Sequence, residues 1–254
     1  MPAKRGRSSS STKRRAKKVK LTREEENQKK LAKIPLPFRN LRTSGMTGRE
    51  KKWKDIYAGW TAVGAGLGAA NGDPSPANTL AGVKIGTGAT QREGRQIDLQ
   101  SIHIRGAIRL DAVDSKSVAH NGCGLCRIAV VLDRQTNSTT TPLAATTVFQ
   151  TQTGGNDVLA YRNLDNVRRF HVLRDELVAM NATAGLSESA GTISTVCHVY
   201  PFEYNINLYG ITQNYSGIND TRGDITDLSV HIFFWKSDED PMSFTYTSRL
   251  RFTG

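Results

Sequence analysis

In Ile97-Asp-Leu99-Gln-Ser-Ile102-His-Ile104-Arg-Gly106-Ala-Ile108-Arg-Leu110, aliphatic side chains recur at every second position. They fall in two registers, slipped by one residue between Leu99 and Ile102. Side chains of a strand alternate between its faces, so the pattern predicts a long strand with one face on a core. The slip predicts a bulge or a change of face, which we place near Gly106.

Working outward, the same signals repeat. Cys126–Leu132 (CRIAVVL) is a compact apolar run that ends in turn chemistry at Asp133–Asn137. Further strands are predicted at 146–150, 168–174, 192–200, 204–209, 226–235 and 243–252. Gly154-Gly155-Asn156, Ser216-Gly217, Arg222-Gly223-Asp224 and Asp238-Glu239-Asp240-Pro241 separate several of them. One short helix is predicted over 175–180. About eight strands without βαβ alternation give an all-β chain, a single eight-stranded antiparallel jelly-roll sandwich. We assign it residues 97–254. Residues 55–96, rich in Gly and small side chains, read as an extended linker that packs on the sandwich.

The charge is unevenly spread. Residues 1–54 hold 19 basic and 4 acidic side chains, a net +15, whereas residues 55–254 hold 16 and 19, a net −3. The first twenty residues contain Lys4, Arg5, Arg7, Lys13, Arg14, Arg15, Lys17, Lys18 and Lys20, no acid, and Val19 as their only branched aliphatic residue. They lack the apolar surface to offset the entropy of ordering, so residues 1–54 are expected to be a largely disordered basic arm. Thr22 and Glu25 at capping-box spacing, with Pro35 beyond, predict a short helix over 22–33 within it.

A polycationic arm on a near-neutral body points to a nucleic acid or another polyanion as partner. The candidate contacts are those nine residues together with Arg39, Arg42, Lys51, Lys52, Trp53 and Lys54. Lysine and arginine neutralise phosphates without regard to sequence. Lys13, Arg14, Arg15, Lys17, Lys18 and Lys20 also match a nuclear localisation signal. Trp53, Tyr57 and Trp60, interleaved with lysines, suit either stacking on unpaired bases or anchoring of the segment to the sandwich or to a neighbouring subunit, and anchoring is the favoured reading.

Other chemistry is thinly represented. Cys123 and Cys126 form a lone CxxC, with His120 and the distant Cys197 as further ligands of zinc-like spacing. Cys126 opens an apolar strand, where a thiol packs as a small hydrophobe. Acidic turns at Asp220/Asp224/Asp227 and Asp238/Glu239/Asp240 suit ordinary turn chemistry as well as calcium. No metal site or cofactor is assigned. His103, His171, His198 and His231 each alternate with apolar or small neighbours on a strand, and no nucleophile elbow, zinc-protease or P-loop motif accompanies them, so no enzyme is expected. No apolar run reaches membrane-spanning length and no secretory signal is apparent, so membrane insertion is not expected. Three cysteines suit a reducing compartment.

Four motifs, taken in order, resemble the capsid proteins of circular, Rep-encoding single-stranded DNA (circovirus-like) viruses. Gly86-Thr-Gly88-Ala-Thr-Gln91-Arg92-Glu-Gly94-Arg95 leads into Ser101-Ile-His-Ile-Arg105-Gly106. Arg127-Ile-Ala-Val-Val-Leu-Asp133-Arg-Gln-Thr-Asn137 follows, then Arg169-Phe170-His-Val172-Leu173-Arg-Asp175, and finally Arg249-Leu-Arg251-Phe252. The resemblance covers about residues 84–254 together with the basic head, which is richer in lysine than many members of that family. It implies a single jelly roll and an icosahedral T=1 shell of sixty copies. It also implies inward arms on a circular single-stranded DNA genome, host import receptors as partners, and residence in the virion and, during assembly, the host nucleus. Two other readings stay open on the residues alone: the coat of a small single-stranded RNA or satellite virus, and a monomeric nuclear nucleic-acid-binding module.

Overall fold

Strand β3, Gln96–Leu110, puts Ile97, Leu99, Ile102, Ile104, Ile108 and Leu110 into the core, as its alternation requires. The structure is a computed structural model that describes residues 50–74, 77–111, 123–150, 157–181, 198–237 and 241–254. Within these residues the other strands are β1 Lys51–Ala62, β2 Gly64–Ala65, β4 Cys123–Asp133, β5 Phe170–Asn181, β6 Val199–Asn214, β7 Ser229–Lys236 and β8 Met242–Thr253. They form two four-stranded sheets, ordered β1-β8-β3-β6 and β2-β7-β4-β5. The partnerships 1–8, 2–7, 3–6 and 4–5 are the nested pairs of one long hairpin rolled on itself, which is the jelly roll.

One pair departs from the antiparallel rule. β2 runs parallel to β7, with Gly64 opposite Trp235 and Ala65 opposite Lys236. Gly66, at φ 72°, and the 3-10 turn Leu67–Ala69 then reverse the chain, and Asn71 pairs antiparallel with Phe234. Glycine adopts that left-handed conformation without a Cβ clash.

The slip in β3 lies between Leu99 and Ser101, where the register shifts against both β6 and β8. Gly106, where the bulge was expected, sits in regular ladder opposite Phe202 and Tyr246. Its role is steric: a Cβ there would overlap the Thr245 carbonyl oxygen and the Phe202 ring. Gly106→Ala is therefore expected to cost about 1–3 kcal/mol through overpacking, read as a lower urea midpoint at unchanged slope. An unchanged midpoint would show that the two strands yield freely.

Residues 175–180 form the second half of strand β5, not a helix. Val178 and Met180 point into the core while Leu177 and Ala179 point away, a period of two that pairing with β4 imposes on a helix-favouring sequence. Residues 146–150 are not a strand either. They begin inside the 3-10 turn Ala145–Thr147, and Val148 and Phe149 beyond it are buried, Phe149 making a single antiparallel bridge to Arg162 rather than a ladder. The stretches 192–200 and 204–209 do not give two strands, since β6 runs unbroken from Val199 to Asn214; residues 191–197 lie outside the described residues.

The sandwich begins earlier than the sequence suggested. Residues 51–62, divided there between arm and linker, are edge strand β1, paired to β8 from Lys51 opposite Thr253. Leu80, Ala81 and Val83, also read as linker, belong to the main core.

Two cores result. The main one lies between the sheets, where Ile128, Val130, Leu132, Val230, Ile232 and Phe234 meet the inward residues of β3 and β8. The second lies on the outer side of β4 and β7, whose Ala129, Val131, Phe233 and Trp235 are roofed by Leu143, Val148, Phe149, Val158 and Ala160. β4 and β7 are apolar at consecutive positions because both of their faces are covered.

Where β4 ends, Asp133 is fully buried and gathers the loops. Arg169 meets it with two hydrogen bonds, Nε to Oδ1 and Nη2 to Oδ2, both at 2.9 Å. Arg222 Nη2 donates to Oδ2 at 3.1 Å, and the Gln135 amide donates to Oδ1 at 3.0 Å. Burial alone pushes the Asp133 carboxyl upward. The hydrogen bonds from Arg169, Gln135 and Arg222, with the Arg169 charge, outweigh it and hold the group below the usual aspartate value.

Candidate nucleic-acid interface

Of the positions read as nucleic-acid contacts, Lys4, Arg5, Arg7, Lys13, Arg14, Arg15, Lys17, Lys18, Lys20, Arg39 and Arg42 lie outside the described residues, as does the helix expected over 22–33. Lys51, Lys52, Trp53 and Lys54 open strand β1. The strand separates them by face. Lys52 is buried, its Nζ 2.7 Å from Glu93 and 3.7 Å from Glu50. Hydrogen bonding to Glu93 holds its ammonium above the usual lysine value. Lys54, on the same side, is ion-paired with Asp220. These two charges are neutralised within the subunit and tie β1 to neighbouring loops. Trp53 points the other way, 44% exposed.

Trp53 belongs to a bare sheet face. Opposite it on β8 is Arg251, and beyond that Ser101 on β3 and Asn207 on β6. The next outward row runs Asp55, Arg249, His103 and Asn205, and the one after it Tyr57, Thr247, Arg105 and Glu203. Arg249 and Asp55 form a two-point ion pair at 2.7 Å, and hydrogen bonds from Arg249 hold that carboxyl below its usual value. Glu203 is shared by His103 and Arg105 and is likewise lowered, first by the hydrogen bond from His103. Further along, the Arg109 guanidinium lies 4.1 Å over the centre of the Trp60 ring. Trp60 is 45% exposed and Tyr57 70% exposed. Trp53 and Trp60 are thus each more than half covered, Trp60 by Arg109 of β3, while Tyr57 projects outward. On the inward side β1 is held by Lys52, Ile56 and Ala58.

The sequence reading singled out Trp53 but not its neighbours on this face, Arg105, Arg109, Arg249 and Arg251. Their signal was the polar half of the alternation in IHIRGAIRL and SRLRF. Only strand order brings those halves together.

No protein-family model matches the chain, and no curated protein matches it. Among solved structures, the chain is similar to the infectious bursal disease virus Gx strain structure (15% identity, 80% of this chain, 33% of that one, TM-score 0.25). It is similar to the VP2 subviral particle of that virus at 14% identity over the same shares, also with a TM-score of 0.25. A third, the T13 viral particle of the same virus, gives 13% identity over 80% of this chain and 39% of that one, with a TM-score of 0.21. The chain thus spans about a third of the length of the structures it resembles. Superposition this loose fixes neither residue correspondence nor function.

One alignment has the order of a hydrolytic triad. His231 Nδ1 lies 2.5 Å from Asp73 Oδ2, and His231 Nε2 lies 2.6 Å from Ser229 Oγ. Ser229 and His231 are fully buried, and Thr136 Oγ1 donates to the same serine oxygen at 2.9 Å. A nucleophile must reach a substrate carbonyl, and this one meets only protein. The array acts as a clasp. With Asp73 Oδ1 accepting the Ile232 amide, it fastens residues 71–74 onto β7.

Among the described residues no group of three or more His, Cys, Asp or Glu side chains is placed to hold a metal ion. Cys126 is buried, and burial pushes its thiol up to about 12. His120 and Cys197 lie outside the described residues. Of the acidic turn residues, Asp220 holds Lys54, Asp224 accepts from Thr221, and Asp227 accepts from Asn214. No helix among the described residues is long and apolar enough to cross a membrane.

Proposed function

We propose that this chain is a viral coat protein that assembles with copies of itself into an icosahedral shell of sixty subunits and packages single-stranded DNA through its basic N-terminal segment. The observation that carries the reading is the division of charge: a net +12 over residues 1–50 joined to a jelly-roll body, residues 51–254, of net charge zero. Near-neutral bodies approach one another without strong repulsion, and a polyanion discharges the cationic segments that come with them. Entry into the host nucleus through import receptors, by way of residues 13–20, precedes assembly in this scheme. Circular DNA as cargo rests on the motif resemblance, since arm charge does not distinguish DNA from RNA.

A second feature supports assembly. Leu159, Tyr161, Leu164, Val167 and Leu177 are exposed, Tyr161 and Leu164 each to 76%. Arg127, opposite Leu177 in the ladder, donates to the Val158 and Ala160 carbonyls, which places the 157–160 segment beside β5. An exposed apolar patch of this kind marks a contact surface. The double substitution Tyr161→Asp, Leu164→Asp is expected to leave the far-ultraviolet spectrum unchanged and to stop particle formation. Central apolar contacts are worth about 2 kcal/mol or more each, and every subunit repeats the loss.

Electron microscopy of purified protein, read with its 260/280 nm absorbance ratio and nuclease sensitivity, tests the whole reading. Uniform spheres holding DNase-sensitive nucleic acid are expected. RNase-sensitive contents would transfer the reading to an RNA virus coat, and monomers without spheres would replace it by a nuclear binding module.

A further inference from the structure

The two sheets differ in what covers them. The outer side of β4 and β7 is sealed by Leu143, Ala145, Val148, Phe149, Val158 and Ala160, whereas the outer side of β1-β8-β3-β6 carries no such roof among the described residues. That bare face holds Arg105, Arg109, Arg249 and Arg251 against Asp55, Glu203 and Asp111, the last ion-paired with Arg109, a net +1 on a body of residues 51–254 whose net charge is zero. Along its β1 margin stand three exposed rings, Trp53, Tyr57 and Trp60. Arg251, beside Trp53, takes part in none of the ion pairs found among the described residues and is exposed. The chain passes from its basic segment into the face at the same end of the same strand, Lys51.

We infer that this face is a second nucleic-acid site, one that selects unpaired bases, and that it lines the inside of the shell. The inference rests on the coat-protein reading. Trp53 and Tyr57 project from the same side of β1 about 13 Å apart at the strand rise, far enough for separate bases to stack on each ring. Arg251 supplies a cation for the phosphate beside Trp53. Aromatic platforms interleaved with cations are the mode by which single strands are held without sequence preference. A duplex keeps its bases stacked on each other and offers these rings nothing. The basic segment accepts any polyanion, so discrimination of single from double strands falls to this face.

A second copy of the chain is the competing occupant, and the composition argues against it. Cores of protein interfaces are depleted of charge, yet here arginine, aspartate, glutamate and histidine occupy the centre of the grid and the rings stand at its margin. Two such faces brought together would set an excess of arginine against itself.

The test uses the full chain, a 20-nucleotide oligothymidylate, and a phosphodiester of equal length and charge that lacks bases. Tryptophan emission reports contact directly, since Trp53 and Trp60 are exposed while Trp235 is buried and serves as the unquenched reference. The oligothymidylate is expected to bind about tenfold more tightly than the baseless chain and to quench the exposed tryptophans. Trp53→Ala with Tyr57→Ala should abolish the preference while binding to both oligomers persists. Equal affinity without quenching in the wild-type chain would overturn the inference and leave arm-driven packaging intact. Failure to bind either oligomer would overturn both. Loss of particles in the double variant with the base preference retained would assign the face to a subunit contact instead.

Discussion

Asp133→Ala is expected to lower the thermal unfolding midpoint by about 10 °C, from a loss of about 3–5 kcal/mol spread over a fold of this size. The carboxylate is fully buried and serves two arginines and a backbone amide. Removing it leaves the Arg222 guanidinium, itself 3% exposed, with the Thr141 carbonyl as its remaining partner. An uncompensated buried cation costs far more than the intact pair contributes. Asp133→Asn keeps the shape and one acceptor oxygen and should fall between the two.

Acid provides the check on cause. The folded carboxyl titrates below its ordinary value of 3.8, so its contribution to stability is complete above that value and is lost as the pH falls through the lower folded value. Wild type and Asp133→Ala should therefore differ most at neutral pH and converge only below about pH 3.8. Circular dichroism melts across that range measure it. Equal midpoints at pH 7 would show that the buried network is dispensable.

Deleting residues 2–20 is expected to leave the sandwich intact and to remove most of its bound nucleic acid. Among the described residues sheet pairing begins at Lys51, and both cores are built from residues beyond it. The segment carries nine of the chain's 35 basic residues and no acid. At about 0.7 counterions released per phosphate of a single strand, the slope of log affinity against log salt should shrink by about six. In a shell of sixty copies the +12 segments of residues 1–50 supply roughly 700 positive charges, comparable with the phosphates of a small genome, and the deletion removes about three-quarters of them. The absorbance ratio of purified particles and a salt titration with oligothymidylate give the two readings. Unchanged nucleic-acid content in truncated particles would end the packaging role of the arm.

Much of the fold was legible because periodicity is a local property. β3 and β8 alternate and proved to have one bare face; β4 and β7 are continuously apolar and proved to be covered on both. Strand β1 was not legible, since Lys52 and Lys54 occupy its inward positions and break the apolar pattern. Their burial is made tolerable by Glu93 and Asp220, which come from distant parts of the chain. The stretch over 175–180 misled for the opposite reason: its residues favour a helix, and only the partner strand β4 holds them extended.

The candidate site divides in the same way. The concentration of cations before residue 54 and the aromatic content of residues 53–60 are counts along a string, and the sequence alone determined them, together with the all-β class. That Trp53 faces solvent beside Arg251 while Lys52 faces inward was decided by tertiary structure. So was the meeting of Asp133 with Arg169 and Arg222, and the choice of which sheet face stays bare. Each depends on register between strands far apart in the chain, which hydrogen bonding and burial settle jointly and no local pattern records.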